Sequence, residues 1–418
     1  MKVFKFGGAS TKDTAGVRNV AAVLKSCQEP DLLVVISAMG KITNALEVVV
    51  RDHFDEKADS EAAMASVYEY HFSILDQLFE NRSHPIFKEI ATMFDDMKRF
   101  LRTTKSKNHS FVYDQVVSYG ELLSSTIVST FLRENDISNT WLDVRDCIVT
   151  DSEYRDAKVD WDKTHTNIAT TVSQKGITIT QGFLGAEHKN SFTTTLGREG
   201  SDYTAAIFAY CLDADSVTIW KDVPGVLNAD PRYFAETQLL EHISYREAIE
   251  LAFYGASVIH PKTLQPLQRK EIPLYVRSFE NPTATGTCVG KGVTLRPKIP
   301  CYILKKNQVL LSLSSLDFSF MMEDNIGDVF KWLHQYRMKV ELIQNSAISF
   351  SVCVDNRFDR LEELLTKLRS TFAVKWNEDV TLYTVRHASP TEIKALMNGK
   401  EVLLKQESRE TVQLIVKE

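Results

Sequence analysis

Short apolar segments alternate with helical patterns along the first two thirds of this 418-residue chain. The segments 32–37, 177–182, 216–220 and 272–276 have the composition of buried strands, and a long amphipathic helical block is predicted over residues 45–102. Regular alternation of strands and helices predicts an α/β fold with a mostly parallel sheet between helices. We therefore expect ligands to bind at the carboxyl ends of the strands.

The last third of the chain has a different order of strand and helix patterns. After a proline-containing linker at 296–300, the strand and helix patterns follow the order β-α-β-β-α-β, which is the ferredoxin-like arrangement. A shorter, abbreviated repeat of this unit follows, in which the last helix of the unit is missing. All but two of the 17 glycines, Gly327 and Gly399, precede Val293, which places the ligand-binding loops in the first part. The predicted domains are 1–295, 301–378 and 379–418.

Charge and composition argue against several classes of function. The formal net charge is −6, so nothing suggests a nucleic-acid-binding surface. The sequence has no apolar run of membrane-spanning length and no signal-peptide pattern. The six cysteines are scattered without metal-ligand spacing, as in reduced thiols of a cytoplasmic enzyme. We expect a cytoplasmic enzyme that contacts neither nucleic acid nor membrane and that has no metal-ligating side chains of its own.

The amino-terminal strand ends in a segment that could bind phosphate. Lys5 precedes Gly7 and Gly8, Ser10 follows, and a helix with Val17 on its apolar face comes next. Glycines let backbone N–H groups approach phosphate oxygens, and a helix N-terminus adds partial positive charge. Taken alone, a plain strand-to-helix turn is the simpler interpretation of two glycines.

Two further segments carry charge where a substrate could be bound. Arg198 lies between glycines after three threonines, and Ser201 and Asp202 follow at the start of a helix. A guanidinium in such a loop can bind a carboxylate with two hydrogen bonds. Glu121 follows a Gly and would suit an ammonium group, although a solvated glutamate is the more common situation.

Charged residues also cluster after the strand at 216–220. Lys221 and Asp222 precede a Pro-Gly turn, and Arg232 follows soon after. This is more charge than a turn requires, so these side chains are candidates for contacts with a nucleotide and its metal ion. Lys262 is either a phosphate contact or a solvated lysine.

Taken together, these segments resemble the aspartokinases of the amino-acid kinase superfamily over essentially the whole chain. The motifs that carry the resemblance are Lys5-Phe6-Gly7-Gly8, Ile42-Thr43-Asn44, Gly120-Glu121, Thr194-Thr195-Leu196-Gly197-Arg198, Gly200-Ser201-Asp202-Tyr203-Thr204-Ala205, Asp222-Val223-Pro224-Gly225, Asp230-Pro231-Arg232, Gly255-Ala256 and His260-Pro261. The tail resembles the paired regulatory ACT modules of the same family.

The resemblance implies ATP-dependent phosphorylation of the side-chain carboxylate of L-aspartate, on the route to lysine, threonine and methionine. It makes Lys5 the group that stabilises the transferring phosphoryl, with Mg²⁺, and Asp202 the group that orients Lys5 or the metal-bound phosphates. Arg198 would bind the α-carboxylate of aspartate and Glu121 its ammonium group. The other aspartate contacts would be Thr43, Phe183 and Ser201. The ATP-binding set would be Lys5, Gly7, Gly8, Ser10, Lys221, Asp222, Leu227, Arg232 and Lys262.

The resemblance also implies an effector site in the first ACT module, with lysine as the usual effector and threonine as the open alternative. Glu341 would receive the effector ammonium; read without the resemblance, it is a solvated strand-end residue. The other effector contacts would be Asp317, Ser319, Phe320, Val340, Asn345 and Ser346. Such sites usually form between two chains, so a homodimer or a larger assembly is implied.

Three residues depart from the family pattern. Glu199 and Ser257 replace a usual glycine and a usual lysine, and Ala9 replaces a frequent threonine. The first two motivate a second hypothesis, a catalytically silent amino-acid sensor. Another acyl-phosphate-forming kinase, such as glutamate 5-kinase, is the alternative within the superfamily. The ACT-like tail argues against it.

Overall fold

The computed structural model describes residues 1–55, 59–256, 258–317 and 320–417. Its strands are β1 (Lys2–Phe6), β2 (Leu32–Ile36), β3 (Thr140–Leu142), β4 (Val149–Thr150), β5 (Ile177–Gln181), β6 (Leu184–Glu187), β7 (Thr193–Thr195), β8 (Ser216–Lys221), β9 (His242–Ser244), β10 (Leu274–Ser278), β11 (Thr287–Gly290), β12 (Cys301–Ser314), β13 (Lys339–Asn345), β14 (Ser349–Asp355), β15 (Ala373–Arg386), β16 (Glu401–Glu407) and β17 (Thr411–Lys417).

The α-helices are α1 (Thr14–Cys27), α2 (Ile42–Phe54), α3 (Ser60–Leu78), α4 (Pro85–Thr103), α5 (His109–Val117), α6 (Tyr119–Glu134), α7 (Trp161–Thr171), α8 (Gly200–Cys211), α9 (Tyr245–Tyr254), α10 (Pro261–Lys270), α11 (Glu323–Gln335), α12 (Leu361–Arg369) and α13 (Pro390–Met397). Short 3-10 helices span Gly8–Thr11 and Val144–Asp146. No helix among the described residues has both the length and the apolar character needed to cross a membrane.

The described residues of the first part form an eight-stranded sheet in the order β3-β5-β2-β1-β8-β10-β11-β9. Its neighbours pair in parallel except β10 and β11. All five residues of β2 are buried, as expected of a strand with helices on both faces. The predicted α/β class with a mostly parallel sheet is confirmed.

The predicted helical block over 45–102 is largely helical but is not one continuous helix. It comprises α2, α3 and α4, and residues 56–58 lie outside the described part. Asp59 caps α3 by accepting hydrogen bonds from the backbone N–H groups of Glu61 and Ala62, and His84 with Pro85 starts α4. Local capping chemistry therefore divides an amphipathic stretch whose periodicity looks continuous.

The described chain divides into two compact units. The first comprises 1–226, 239–249 and 258–296, and the second comprises 227–238, 250–257 and 297–418. The second unit therefore includes two short segments that precede the ACT-like tail in sequence. The three domain ranges proposed above stay a prediction.

The second unit holds a six-stranded antiparallel sheet in the order β13-β14-β12-β15-β17-β16. The order β13-β14-β12-β15 is that of a ferredoxin-like unit, as predicted. In the abbreviated repeat, the place of a fourth strand is taken by the first residues of β12, since Cys301 pairs with Arg386 and Lys305 with Leu382. The repeat is thus completed by a strand that precedes the first module in sequence.

Candidate active site and effector site

A cavity of about 590 Å³ lies at the carboxyl ends of β1 and β2 and at the start of α8. It is lined by Lys5, Gly8, Ser37, Ala38, Gly40, Thr43, Tyr113, Glu121, Arg155, Phe183, Gly197, Arg198, Glu199, Gly200, Ser201 and Asp202. All five residues predicted to bind aspartate belong to this wall, as do Lys5, Gly8 and Asp202. Their individual contacts with a ligand stay predictions.

Two lysines converge on one buried carboxylate at the floor of the site. The Nζ atom of Lys5 lies 2.7 Å from Oδ1 of Asp202, and Nζ of Lys221 lies 3.4 Å from Oδ2. Burial alone would raise the pKa of the Asp202 carboxyl, but the two ammonium groups outweigh it and hold the pKa below its usual range. Asp202 is therefore an anion that keeps two cations in place at the end of β1 and β8.

The glycines after β1 are required by close backbone packing. A Cβ atom on Gly8 would lie 2.7 Å from the carbonyl oxygen of Gly40 and 2.8 Å from that of Ala38. Gly7 precedes the 3-10 helix, and α1 starts only at Thr14. Ser10 is buried, and its hydroxyl is 3.4 Å from the carbonyl oxygen of Trp220, so it does not belong to the cavity wall.

Glu121 is buried in the first turn of α6 and lines the cavity. Its Oε1 atom is 3.4 Å from the backbone nitrogen of Ala38, and its Oε2 has no hydrogen-bond partner among the described residues. Burial raises the pKa of this carboxyl to about 8, against the opposing effects of the Ala38 N–H and the charge of Lys5. A buried acceptor without a partner is costly, so the site favours a ligand that donates to it.

The loop between β7 and α8 carries Arg198 and Glu199 into the cavity wall. Gly197 and Glu199 both have positive φ, at 77° and 55°. Gly200 is held against Phe183, because a Cβ atom on it would lie 2.5 Å from the ring. Glu199 therefore takes a backbone conformation that glycine adopts more easily, and it lines the cavity next to Arg198 in sequence.

Sequence reasoning missed Tyr113, Asp114 and Arg155. Arg155 and Tyr113 line the cavity, and Asp114 is fully buried behind them. Burial raises the pKa of Asp114 to about 6, although N–H groups of Arg155 and Thr195 oppose this. Asp114 lies within the largely apolar α5, so one polar residue among buried neighbours is the signal that could have identified it.

The predicted nucleotide contacts are less closely grouped. Lys221 also donates to the carbonyl oxygen of Val258, at 2.5 Å. Lys262 is bound to Asp156 at 2.5 Å, so its ammonium group is already paired within the chain. His260 caps α10 by accepting from the backbone N–H of Lys262, which supports a structural role.

The other predicted nucleotide contacts lie outside the cavity wall. Within the second unit, the guanidinium of Arg232 donates three hydrogen bonds to the Asp230 carboxylate, at 2.6, 3.0 and 3.1 Å, and its backbone N–H donates another at 2.9 Å. Leu227 belongs to the same unit, whereas Asp222 belongs to the first. Ser257, where a lysine is usual, lies outside the described residues.

Glu341 is nearly buried and is not a solvated strand-end residue. It lies at a register shift between Val340 and Leu342, and such bulges redirect a side chain. Its carboxylate contacts the ammonium groups of Lys305 and Lys339, the latter at 2.7 Å. The residue predicted to receive an effector ammonium is thus already paired with lysines of the chain.

Of the other predicted effector residues, Val340 and Asn345 belong to β13 and Ser346 directly follows it. Ser346 begins the turn to β14, where its hydroxyl lies 2.7 Å from that of Ser349. Phe320 is exposed, and Ser319 lies outside the described residues. In the abbreviated repeat, β16 has the same burial pattern as β13 and the same bulge, but Leu403 takes the place that Glu341 has in β13. That repeat therefore lacks the carboxylate.

Comparisons with known proteins agree with this architecture. A model of the amino acid kinase family matches residues 1–278. Lysine-sensitive aspartokinase 3 of Escherichia coli (strain K12) is 34% identical over 356 residues, which is 84% of this chain and 78% of that protein. The chain spans only 42% of a longer relative, the bifunctional aspartokinase/homoserine dehydrogenase 2 of Arabidopsis thaliana, at 29% identity.

Solved structures extend the match to the entire chain. The structure of E. coli aspartokinase III in complex with lysine and aspartate (T-state) has a TM-score of 0.85 and 30% identity, and covers 100% of this chain and 96% of that chain. The R-state structure with aspartate and ADP has a TM-score of 0.81 at the same identity and coverage. The sequence and fold thus identify this chain as a member of the amino acid kinase family and, within it, of the aspartokinases.

Proposed function

We propose that this chain is an aspartate kinase, which transfers the γ-phosphoryl group of ATP to the side-chain carboxylate of L-aspartate and forms 4-phospho-L-aspartate. The observation that carries the proposal is one cavity that is lined by the Lys5–Asp202 ion pair, by Arg198 and by Glu121, whose buried Oε2 has no hydrogen-bond partner among the described residues. The first pair suits phosphoryl transfer, and the other two groups suit the ends of an α-amino acid.

Phosphoryl transfer depends mainly on positioning and on neutralising charge. The acceptor carboxylate is ionised at neutral pH, so the reaction needs no general base. Lys5 stabilises the negative charge of the transferring group, and Asp202 holds Lys5 and Lys221 at the position where that charge develops. Because both lysines are held in advance, little reorganisation is needed during the reaction.

The amino-acid end of the cavity has complementary charges for aspartate. The ammonium group would donate to Oε2 of Glu121, and the α-carboxylate would bind the guanidinium of Arg198. Thr43, Phe183 and Ser201, which also line the cavity, are the other proposed contacts of aspartate. The similar E. coli enzyme has been solved with aspartate and ADP, which supports the same pair of ligands here.

On the nucleotide side, Gly7, Gly8 and Lys221 are proposed to contact phosphates, and Asp222 to contact the rest of ATP. Mg²⁺ is proposed to enter as the counter-ion of the ATP phosphates. The described residues contain no group of three His, Cys, Asp or Glu side chains suited to a metal ion. The donor set nearest the reacting groups is one carboxylate already bound by two lysines, so phosphate oxygens and water are the expected ligands of the ion.

Regulation by lysine is proposed to act through Glu341 in the first ACT module. The similar E. coli relative is described as lysine-sensitive, and its structure was solved with lysine. The nearly buried carboxylate at the β13 bulge supports an ammonium-binding role. Threonine is the alternative effector, and titration with both amino acids distinguishes them.

We also propose that two copies pair through the first ACT module. β13 is an edge strand of its sheet, and unpaired edges favour association with another chain. Many of the exposed large apolar side chains lie in this module, namely Leu316, Phe320, Met322, Phe330, Ile343, Ile348 and Phe358. Light scattering should give twice the monomer mass, and Ile343→Glu should shift it to the monomer; a monomeric wild-type chain would remove the proposal.

The proposed activity is tested by incubating the purified chain with MgATP and candidate acids and trapping acyl phosphate with hydroxylamine. We expect hydroxamate with L-aspartate and none with L-glutamate or N-acetylglutamate. Turnover of another acid would show that the chain is a different acyl-phosphate-forming kinase. Aspartate binding without hydroxamate would favour the silent amino-acid sensor.

A further inference from the structure

Arg155 brings a second guanidinium to the wall of the substrate cavity. It lies between β4 and α7, and no part of the motif pattern around Arg198 predicts it. Its backbone is in the left-handed region, with φ of 75°, which an arginine rarely adopts. Conformations of this kind persist where surrounding contacts hold them, and they occur often at ligand sites.

The contacts that hold Arg155 also hold the loop of Arg198. The backbone N–H of Arg155 lies 3.2 and 3.1 Å from the two oxygens of the buried Asp114 carboxylate. The same carboxylate accepts from the backbone N–H of Thr195 at 2.9 Å and from its hydroxyl at 2.8 Å. Thr195 is three residues before Arg198, so one buried carboxylate fixes the backbone on both sides of the cavity.

The guanidinium of Arg155 is oriented by an aromatic ring and one carboxylate. It lies over the Tyr113 ring, 4.0 Å from its centre, and its Nη2 atom is 3.0 Å from Oε1 of Glu47. The side chains of Arg155 and Glu47 are 40% and 48% exposed, so this ion pair is weak and easily exchanged for another anion. The ring contact would remain when the carboxylate partner changes.

The ion pair with Glu47 places Arg155 near residues that are proposed to bind aspartate. Glu47 and Thr43 are four residues apart in α2, so they lie on the same face of the helix. Thr43, Glu121 and Phe183 line the cavity and are proposed to contact aspartate. The carbonyl oxygen of Arg155 also lies 3.3 Å from the position of a Cβ atom on Gly197, which directly precedes Arg198. Arg155 therefore lies beside residues proposed to bind the amino-acid substrate. Lys5 and Lys221 are held at Asp202, where the phosphates are expected.

We propose that Arg155 is a substrate-binding residue that, together with Arg198, binds the carboxylate of the amino-acid substrate that is not phosphorylated. This inference rests on the proposed function. A carboxylate has enough lone pairs to accept from two guanidinium groups, and two charge-assisted contacts discriminate strongly against substrates that lack this anion. Arg155 thus sets specificity for a dicarboxylic amino acid and exchanges Glu47 for the substrate when the substrate binds.

The test compares Arg155→Gly with the wild type in steady-state kinetics. Glycine adopts positive φ freely, so the variant removes the guanidinium without disturbing the backbone. We expect the KM for aspartate to rise about tenfold to a hundredfold, on the scale of a lost charge-assisted contact, while kcat and the KM for ATP change little. With the α-amide of aspartate as substrate, kcat/KM should be the same in the variant and in the wild type.

Glu47→Gln is the matched control, because it removes the other partner of the same guanidinium. Its KM for aspartate should stay the same or fall. An unchanged KM for aspartate in Arg155→Gly, an equal loss with acid and amide, or a higher KM for ATP would overturn the inference. A wild-type chain that phosphorylates no aspartate would instead contradict the proposed function, so the two failures are distinguishable.

Discussion

The ammonium group of Lys5 and the carboxylate of Asp202 form an ion pair of 2.7 Å in which both side chains are buried. A buried ion pair is weak evidence for stability, because desolvation of the two charges offsets their attraction. In this chain the pair lines a ligand cavity, and the Asp202 carboxylate also contacts a second lysine, Lys221. A role in holding cations ready for phosphate explains why the charges are buried there.

Replacing Asp202 by asparagine should therefore harm both stability and turnover. It leaves two lysines near each other without their shared anion, and removing one partner of a buried pair costs about 3–5 kcal/mol. We expect a clearly lower melting temperature and a fall of at least about a hundredfold in kcat, on the scale of one lost electrostatic element. Asp213→Asn is the control, because the Asp213 carboxylate is 74% exposed in its pair with Lys270. Equal effects of the two substitutions would contradict this assignment.

If Glu121 binds the ammonium group of aspartate as proposed, aspartate binding should depend on pH. Since burial raises the pKa of its carboxyl to about 8, it carries a proton at pH 7 in the free chain. A bound ammonium group favours the ionised form, so binding should release about one proton. The Kd for aspartate should fall by up to about tenfold per pH unit as the pH approaches 8. Calorimetry in buffers with different ionisation enthalpies measures the proton, and Glu121→Gln should abolish the release.

The Glu121 carboxyl also affects the stability of the ligand-free chain. Its contribution to the unfolding free energy falls as the pH rises, whereas that of a salt-bridged carboxylate rises. Its pKa is higher in the folded chain than the ordinary value of 4.5, so the folded state binds more protons between that value and about 8. The unfolding free energy should fall across this range by up to about 1.4 kcal/mol per pH unit from this group. A Glu121→Gln variant with the same pH profile as the wild type would contradict the assignment.

Lys305 should compete with the effector for Glu341. Burial lowers the pKa of the Lys305 ammonium group, against the attraction of Glu341. Keeping this ammonium group charged is therefore unfavourable, and a ligand ammonium group could take its place beside Glu341. Lys305→Met should therefore lower the lysine concentration for half-inhibition, by roughly tenfold for one lost ionic contact. Lys306→Met is the control, since its ammonium group lies near the Tyr233 ring instead. Unchanged or weaker inhibition in Lys305→Met would place the effector elsewhere.

Local signals were sufficient for the fold class and for most of the cavity wall. Lys5 lies near the carboxyl end of β1 and Gly8 follows that strand, which is where a parallel sheet binds ligands. Arg198 lies in the short loop between β7 and α8. The contact between Asp114 and Arg155 could not be found this way, because it joins residues 41 apart and depends on the packing of α5. The Lys305–Glu341 pair, 36 residues apart, likewise depends on a bulge that no local pattern reveals.

The most direct test of the central claim is the rate of acyl-phosphate formation in Lys5→Met with saturating aspartate and MgATP. Methionine preserves the length and apolar stem of the side chain but removes its charge. The account predicts a loss of at least about a hundredfold to a thousandfold in kcat, with aspartate binding retained in calorimetry. An unchanged rate would show that Lys5 does not stabilise the transferring phosphoryl group and would contradict the account.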